Sequence, residues 1–305
     1  MTGAVIYGGR ISSDFNRPTE AICNEWHKTE TFADHRIGPQ PKTITIPKCE
    51  EAKAKAQYKE HRLKNILGTW TRIVEINDEL APSAPIWLHV HGITSNWLHG
   101  LRYQEAAARL GFRLMMVELL NHGKSQRVGG GTSWGCKEKY DIISALQQIL
   151  HLYPEAKILV TATSMGTLAV TEAALMEGTS WQSVKGVVFE SPIPDLQTLY
   201  TLLAKRFPLP MSMFPSYDGL LSLASLRSDT DFKRCFQMTK KSKTPLLIML
   251  SEFEYPEPSL RELVISKTRF EQITTVQFPR GNHSAYWNYQ PEEFEKEIGD
   301  FYRRL

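Results

Sequence analysis

The run Ile158-Leu-Val-Thr-Ala-Thr-Ser164-Met-Gly166, continued by Thr-Leu-Ala-Val-Thr-Glu-Ala-Ala-Leu175, reads as a strand, a tight turn and a helix with a serine at the turn. The apolar, β-branched stretch before Ser164 suits a buried strand, and the Ala- and Leu-rich stretch after it suits a helix. A chain that bends so sharply leaves no room for large side chains beside the turn, and Ala162 and Gly166 are both small. A hydroxyl carried on such a bend is a candidate nucleophile. An x-Ser-x-Gly piece alone also arises by chance, so its meaning depends on what surrounds it.

Outward from this segment, short apolar runs alternate with longer helical patterns. Strands are predicted at 69–76, 86–90, 112–117, 158–161, 184–189, 246–250 and 274–278, with a further edge strand at 43–46. Ile142, Ile143, Leu146, Ile149 and Leu150 form one helical stripe. Phe294, Ile298, Phe301 and Tyr302 form another behind Pro291, and Gly111 marks a helix stop. Strand and helix in alternation, without self-similar repeats, predict an α/β fold, a doubly wound and mostly parallel sheet of about eight strands. The sheet domain is expected over 69–305. Residues 1–68 form an N-terminal extension, with an Ala/Lys/Glu-rich solvated helix expected at 50–64. An apolar insertion at 191–243, rich in Leu, Met and Phe, suits either a helical lid over a pocket or extra helices completing the core.

Of the 305 residues, 42% are hydrophobic and 23% charged, with a formal net charge of +3; this composition suits a globular core and points to no nucleic-acid partner. Cys23, Cys49, Cys136 and Cys235 lie far apart without a Cys-x-x-Cys pair, so reduced thiols in a cytoplasm are the expectation. The first ten residues lack a signal-peptide pattern, and no apolar run approaches the ~20 residues of a membrane span. A cytoplasmic protein is expected.

Several segments, in order, resemble the α/β-hydrolase superfamily, within it the single-domain esterase, thioesterase and acyl-transfer group. Besides the Ser164 turn these are His91-Gly92-Ile93 after a strand, Glu118-Leu-Leu-Asn-His122-Gly123-Lys-Ser125, Glu190-Ser191-Pro192-Ile-Pro-Asp195, and Gly281-Asn282-His283-Ser284. They span residues 85 to 305. The sequence departs from the family's pattern with Ala162 for glycine and Glu118 for the usual aspartate.

The resemblance implies a triad in the chain order serine, acid, histidine, carried here by Ser164, Glu254 and His283. A serine hydroxyl is a weak nucleophile and needs an imidazole to take its proton and a carboxylate to orient that imidazole. Glu254 falls where relatives carry aspartate; Glu252 and Asp195 remain alternatives. The backbone amides of Met165 and Ile93 are the expected oxyanion donors. Phe207, Met211, Met213 and Phe214 of the insertion would line an acyl pocket. His89, His91, His99 and His122 cluster along the sequence, but their spacing does not match a zinc site, and Gly129-Gly130-Gly131 lacks the following Lys-Ser/Thr of a phosphate loop. No metal or cofactor is expected.

The function implied is a serine hydrolase acting on a small acyl ester or thioester through an acyl-enzyme. An acyltransferase using the same intermediate and a non-catalytic hydrolase-like binding protein are the alternatives.

Overall fold

The computed structural model describes residues 58–76, 79–93, 95–128, 131–198, 235, 240–255, 257–281 and 283–305. Over these residues the strands are β1 (Tyr58–Lys64), β2 (Trp70–Ile76), β3 (Ile86–Val90), β4 (Arg113–Glu118), β5 (Ile158–Thr163), β6 (Val184–Glu190), β7 (Leu246–Ser251) and β8 (Ile273–Phe278). They form an 8-stranded sheet in the order β1-β2-β4-β3-β5-β6-β7-β8. The β1–β2 and β2–β4 pairs are antiparallel and the other pairs parallel. The helices are α1 (Leu98–Leu101), α2 (Gln104–Arg109), α3 (Glu138–Leu152), α4 (Met165–Leu175), α5 (Pro258–Lys267), α6 (Tyr286–Tyr289) and α7 (Pro291–Arg303).

Strand alternation divides the core in two. Ile86, Leu88 and Val90 pack with Ile142, Leu146, Ala169 and Val264 on the face covered by α3, α4 and α5. Trp87, Leu114 and Met116 pack with Leu101, Ala106, Tyr286, Phe294 and Ile298 on the face covered by α1, α2, α6 and α7. Covered on both faces, β3, β4, β5 and β7 are buried throughout, which is why their sequences are mostly apolar, with polar residues such as Arg113, Glu118 and Ser251 at strand ends. Helix α4 is buried along its whole length; it is mostly apolar, and its one charged residue, Glu172, is paired with Arg269.

Two expectations are corrected. The helix expected at 50–64 is a strand over Tyr58–Lys64, and the sheet therefore begins before residue 69. Composition favoured a helix, but β1 gains cross-strand partners: Lys64 lies over the Trp70 ring, Glu60 pairs with Arg72, and His61 Nε2 meets Glu75 at 2.8 Å. The edge strand expected at 43–46, and residues 199–234 and 236–239 of the insertion, lie outside the described residues.

The second correction concerns the thiols. Cys136 and Cys235 form a disulfide with Cα atoms 5.8 Å apart, across a sequence separation of 99. Spacing in sequence carries no trace of this proximity, which the fold creates by setting Cys136 against Leu168, Ile193 and Leu196. Closing a loop of that length limits the unfolded chain, so reduction is expected to lower stability by about 2–4 kcal/mol. Urea midpoints with and without reductant, compared with those of Cys136→Ser, measure it. An unchanged midpoint on reduction would contradict the bond.

Candidate active site

Ser164 occupies the bend between β5 and α4 with φ 51° and ψ −125°, a backbone conformation that a non-glycine residue holds only under constraint. The constraint is visible on both sides. A Cβ at Gly166 would stand 2.6 Å from the His91 carbonyl oxygen and 2.8 Å from that of Val90, so α4 can start directly against the end of β3 only with glycine there. A Cβ at Gly92 would reach to 3.0 Å from the Ser164 Cβ, so the turn after β3 closes on the serine from the other side. Ala162 is accommodated within the apolar core between β3 and β6.

The loop after β8 brings His283 to this bend. Its Nε2 lies 2.8 Å from Ser164 Oγ, and its Nδ1 lies 2.5 Å from Glu254 Oε1. Glu254, in the turn after β7, has a side chain only 7% exposed, whereas that of His283 is 48% exposed and open to solvent. The other carboxylate oxygen of Glu254 accepts from the Ser191 hydroxyl at 2.7 Å and from the Tyr286 hydroxyl at 2.5 Å. Burial pushes the Glu254 carboxyl up, but the adjacent His283 charge and three hydrogen bonds more than offset it, leaving Glu254 below the usual carboxylate range. Burial, and then the Glu254 charge, hold the Tyr286 phenol well above its ordinary value, so it stays protonated and donates.

The three candidate acids are thereby separated by position. Glu252 is exposed in the turn after β7. Asp195 accepts from the Thr198 amide at 2.6 Å and hydroxyl at 3.0 Å, capping the helical turn that starts at Leu196. Glu254 alone of the three meets the imidazole in the hydrogen bonds described.

Met165 is the first residue of α4, where backbone N–H groups lack partners within the helix. Ile93 follows the Gly92 turn that packs on Ser164. Phe207, Met211, Met213 and Phe214 lie outside the described residues.

The histidines near the site brace loops. His91 Nδ1 donates to the Gly92 carbonyl at 2.7 Å while its Nε2 accepts from the Leu119 amide at 3.1 Å, and burial lowers its pKa to about 3. His89 and His99 stack with ring centroids 5.3 Å apart and share a 3.1 Å hydrogen bond. Behind them the Glu118 segment forms a tight turn. Its Oε2 accepts the Lys124 amide at 2.8 Å and meets Arg72 at 3.3 Å, while its carbonyl accepts the Ser125 hydroxyl at 2.7 Å. The Glu118 carboxylate fills the space a side chain at Gly123 would need, and Gly123 has φ +52°.

Sequence reading missed Ser191 and Tyr286 as partners of Glu254. A serine after a strand and a tyrosine at the start of a short helix are ordinary in composition. Only the approach of β6, β7 and the β8–α6 loop gives them a common target.

No family model matches the chain, and no curated protein sequence matches it. Solved structures do. An esterase from Pyrococcus furiosus, Pf2001, is similar at 20% identity and a TM-score of 0.61, over 88% of this chain and 99% of its own. Est1E from Butyrivibrio proteoclasticus, solved with ferulic acid, is similar at 17% identity and a TM-score of 0.57, over 82% and 98%. The epoxide hydrolase VrEH1 from Vigna radiata is similar at 13% identity and a TM-score of 0.55, over 81% and 99%. With the sheet order and the strand–serine–helix bend, these likenesses establish that the chain has the α/β-hydrolase fold.

Proposed function

We propose that this protein is a serine hydrolase that cleaves a small acyl ester or thioester through an acyl-enzyme. The observation that carries the reading is the unbroken line from Ser164 Oγ to His283 Nε2 at 2.8 Å and from His283 Nδ1 to Glu254 at 2.5 Å. In this mechanism His283 takes the Ser164 proton as the hydroxyl oxygen attacks the acyl carbon. Glu254 keeps the other proton on Nδ1 and steadies the imidazolium that forms. The tetrahedral oxyanion is met by the amides of Met165 and Ile93, donors of a kind worth roughly 2.7–4 kcal/mol each when removed. His283 then protonates the leaving alcohol or thiol, and water, activated by the same imidazole, releases the acid.

Two further observations support the reading. The resemblance in solved structures includes esterases. The half-exposed imidazole gives solvent access to the proton-transfer step. The apolar insertion that holds Phe207, Met211, Met213 and Phe214 is assigned to the acyl group. Among the described residues no helix is long and apolar enough to cross a membrane.

A fluorophosphonate probe tests the proposal. Wild type is expected to be labelled at Ser164, as read by peptide mass, and folded Ser164→Ala is expected to take no label. Folded wild type that stays unlabelled, or labelling that persists in Ser164→Ala, would overturn it.

A further inference from the structure

Behind the triad lies a buried ion pair that this mechanism does not use. Glu190, the last residue of β6, meets Arg102 Nη2 at 3.0 Å, with both side chains almost wholly enclosed. Glu190 also touches both halves of the candidate site. Its backbone carbonyl accepts the Ser164 amide at 3.3 Å, and its Oε1 accepts the Tyr286 amide at 2.6 Å. Tyr103 adds a hydroxyl to Oε2 at 2.9 Å. Arg102 turns its other amino group toward the histidine loop: Nη1 donates to the Ser284 carbonyl at 2.7 Å and to Asn288 Oδ1 at 2.8 Å.

Ser284 directly follows His283, and its backbone is left-handed, with φ 57°. Such a conformation persists in a non-glycine residue only when surrounding bonds impose it. Here they act from both ends. The Ser284 amide donates to Ser191 Oγ at 2.8 Å, and its carbonyl accepts from Arg102 and, at 3.3 Å, from His99 Nε2. His99 is itself fixed: its Nδ1 accepts from His89 Nε2 at 3.1 Å, and His89 Nδ1 accepts the Thr161 hydroxyl at 3.0 Å. The Thr161 oxygen in turn accepts the Trp87 indole N–H at 2.7 Å. Burial and the Arg102 charge keep both rings neutral, as this donor order requires.

We propose that the Glu190–Arg102 pair is a positioning device for His283, holding the strained Ser284 peptide so that the imidazole stays within proton-transfer reach of Ser164. The inference rests on the hydrolase reading above and goes beyond it by giving two residues outside the triad a role in turnover. Breaking the pair removes the shorter of the two hydrogen bonds to the Ser284 carbonyl and leaves only the 3.3 Å contact from His99, and a displacement of ~1 Å at the imidazole costs about 100-fold in rate.

The test compares Arg102→Ala with Arg113→Ala, using p-nitrophenyl acetate below both unfolding temperatures. Arg113 makes a similarly buried pair with Glu75 at 2.9 Å, at the opposite ends of the strands, and serves as the purely structural control. Arg102→Ala is expected to lose about 100-fold in kcat with KM within about threefold, and millimolar guanidinium is expected to recover about tenfold. Arg113→Ala is expected to keep its kcat while losing stability. Glu190→Gln, which retains an acceptor for the Tyr286 amide, is expected to lose about tenfold and provides a milder variant if Arg102→Ala does not fold.

A folded Arg102→Ala with wild-type kcat, or an equal kcat loss in Arg113→Ala, would overturn the proposal. Should wild type prove inactive and unlabelled at Ser164, the hydrolase reading fails by itself. The downfield proton resonance of His283 Nδ1–H still decides the positioning claim: present in wild type and lost in Arg102→Ala supports it, unchanged in both refutes it.

Discussion

Asparagine at position 283 is expected to lower kcat for p-nitrophenyl acetate by about 10⁴–10⁶-fold, with little change in KM or in thermal unfolding temperature. The imidazole is the only base shown in contact with Ser164 Oγ among the described residues, and without it the hydroxyl must attack with its proton in place. The effect falls on kcat because the proton transfer is made in the transition state and contributes nothing to ground-state binding. The side chain is half exposed, so its loss opens no cavity in the core. Stopped-flow measurement of the acylation burst gives the rate directly. A folded His283→Asn protein that retains a burst within tenfold of wild type would remove the imidazole from the mechanism.

Glu254→Gln is expected to cost about 10⁴-fold in kcat. The carboxylate accepts from Nδ1 and so leaves Nε2 free to receive the serine proton. An amide can present its NH₂ to Nδ1 instead, which places the imidazole proton on Nε2 and leaves it unable to act as base. Ser191 and Tyr286 both donate to the same carboxylate oxygen, so the neutral side chain also faces donors arranged for an anion. The exposed neighbour Glu252 supplies the comparison, and Glu252→Gln is expected to leave kcat within twofold. Equal rates for Glu254→Gln and wild type would mean that the acid orients nothing.

Much of the architecture was legible because parallel strands covered on both faces must be apolar throughout. Expected strands such as 86–90 and 184–189 match β3 and β6 to within a residue. The Ser164 bend was legible because its sterics demand small residues at fixed offsets, and Gly166 shows the reason in its approach to the β3 carbonyls. β1 was misread because an edge strand gains its stability from pairing with β2, which local composition does not encode. The disulfide was hidden for a related reason: sequence separation is uninformative about distance once helices cross a sheet.

The same limit applies to the candidate site. Chain order pointed to Ser164, Glu254 and His283 with Glu252 and Asp195 as alternative acids, and the contact of Glu254 with the imidazole is visible only in the fold. The residues that brace the site, Arg102, the adjacent Glu190 and Ser191, and Tyr286, come from three separate places along the chain. Their roles reside in long-range hydrogen bonds between β6, the start of α6 and the segment after α1.

Glutamate stands at 118 where the pattern this sequence resembles has aspartate, and the extra methylene is used. From the end of β4 it reaches the Lys124 amide and the Arg72 guanidinium on β2, and it occupies the hollow beside Gly123. A consensus-guided redesign that restored the shorter acid would draw the carboxylate back from these partners, leaving Arg72, in a nearly closed environment, with Glu60 as its remaining carboxylate. At this position the shorter acid is the wrong choice for a stabilised variant, and an engineer seeking heat tolerance would do better to leave the turn untouched.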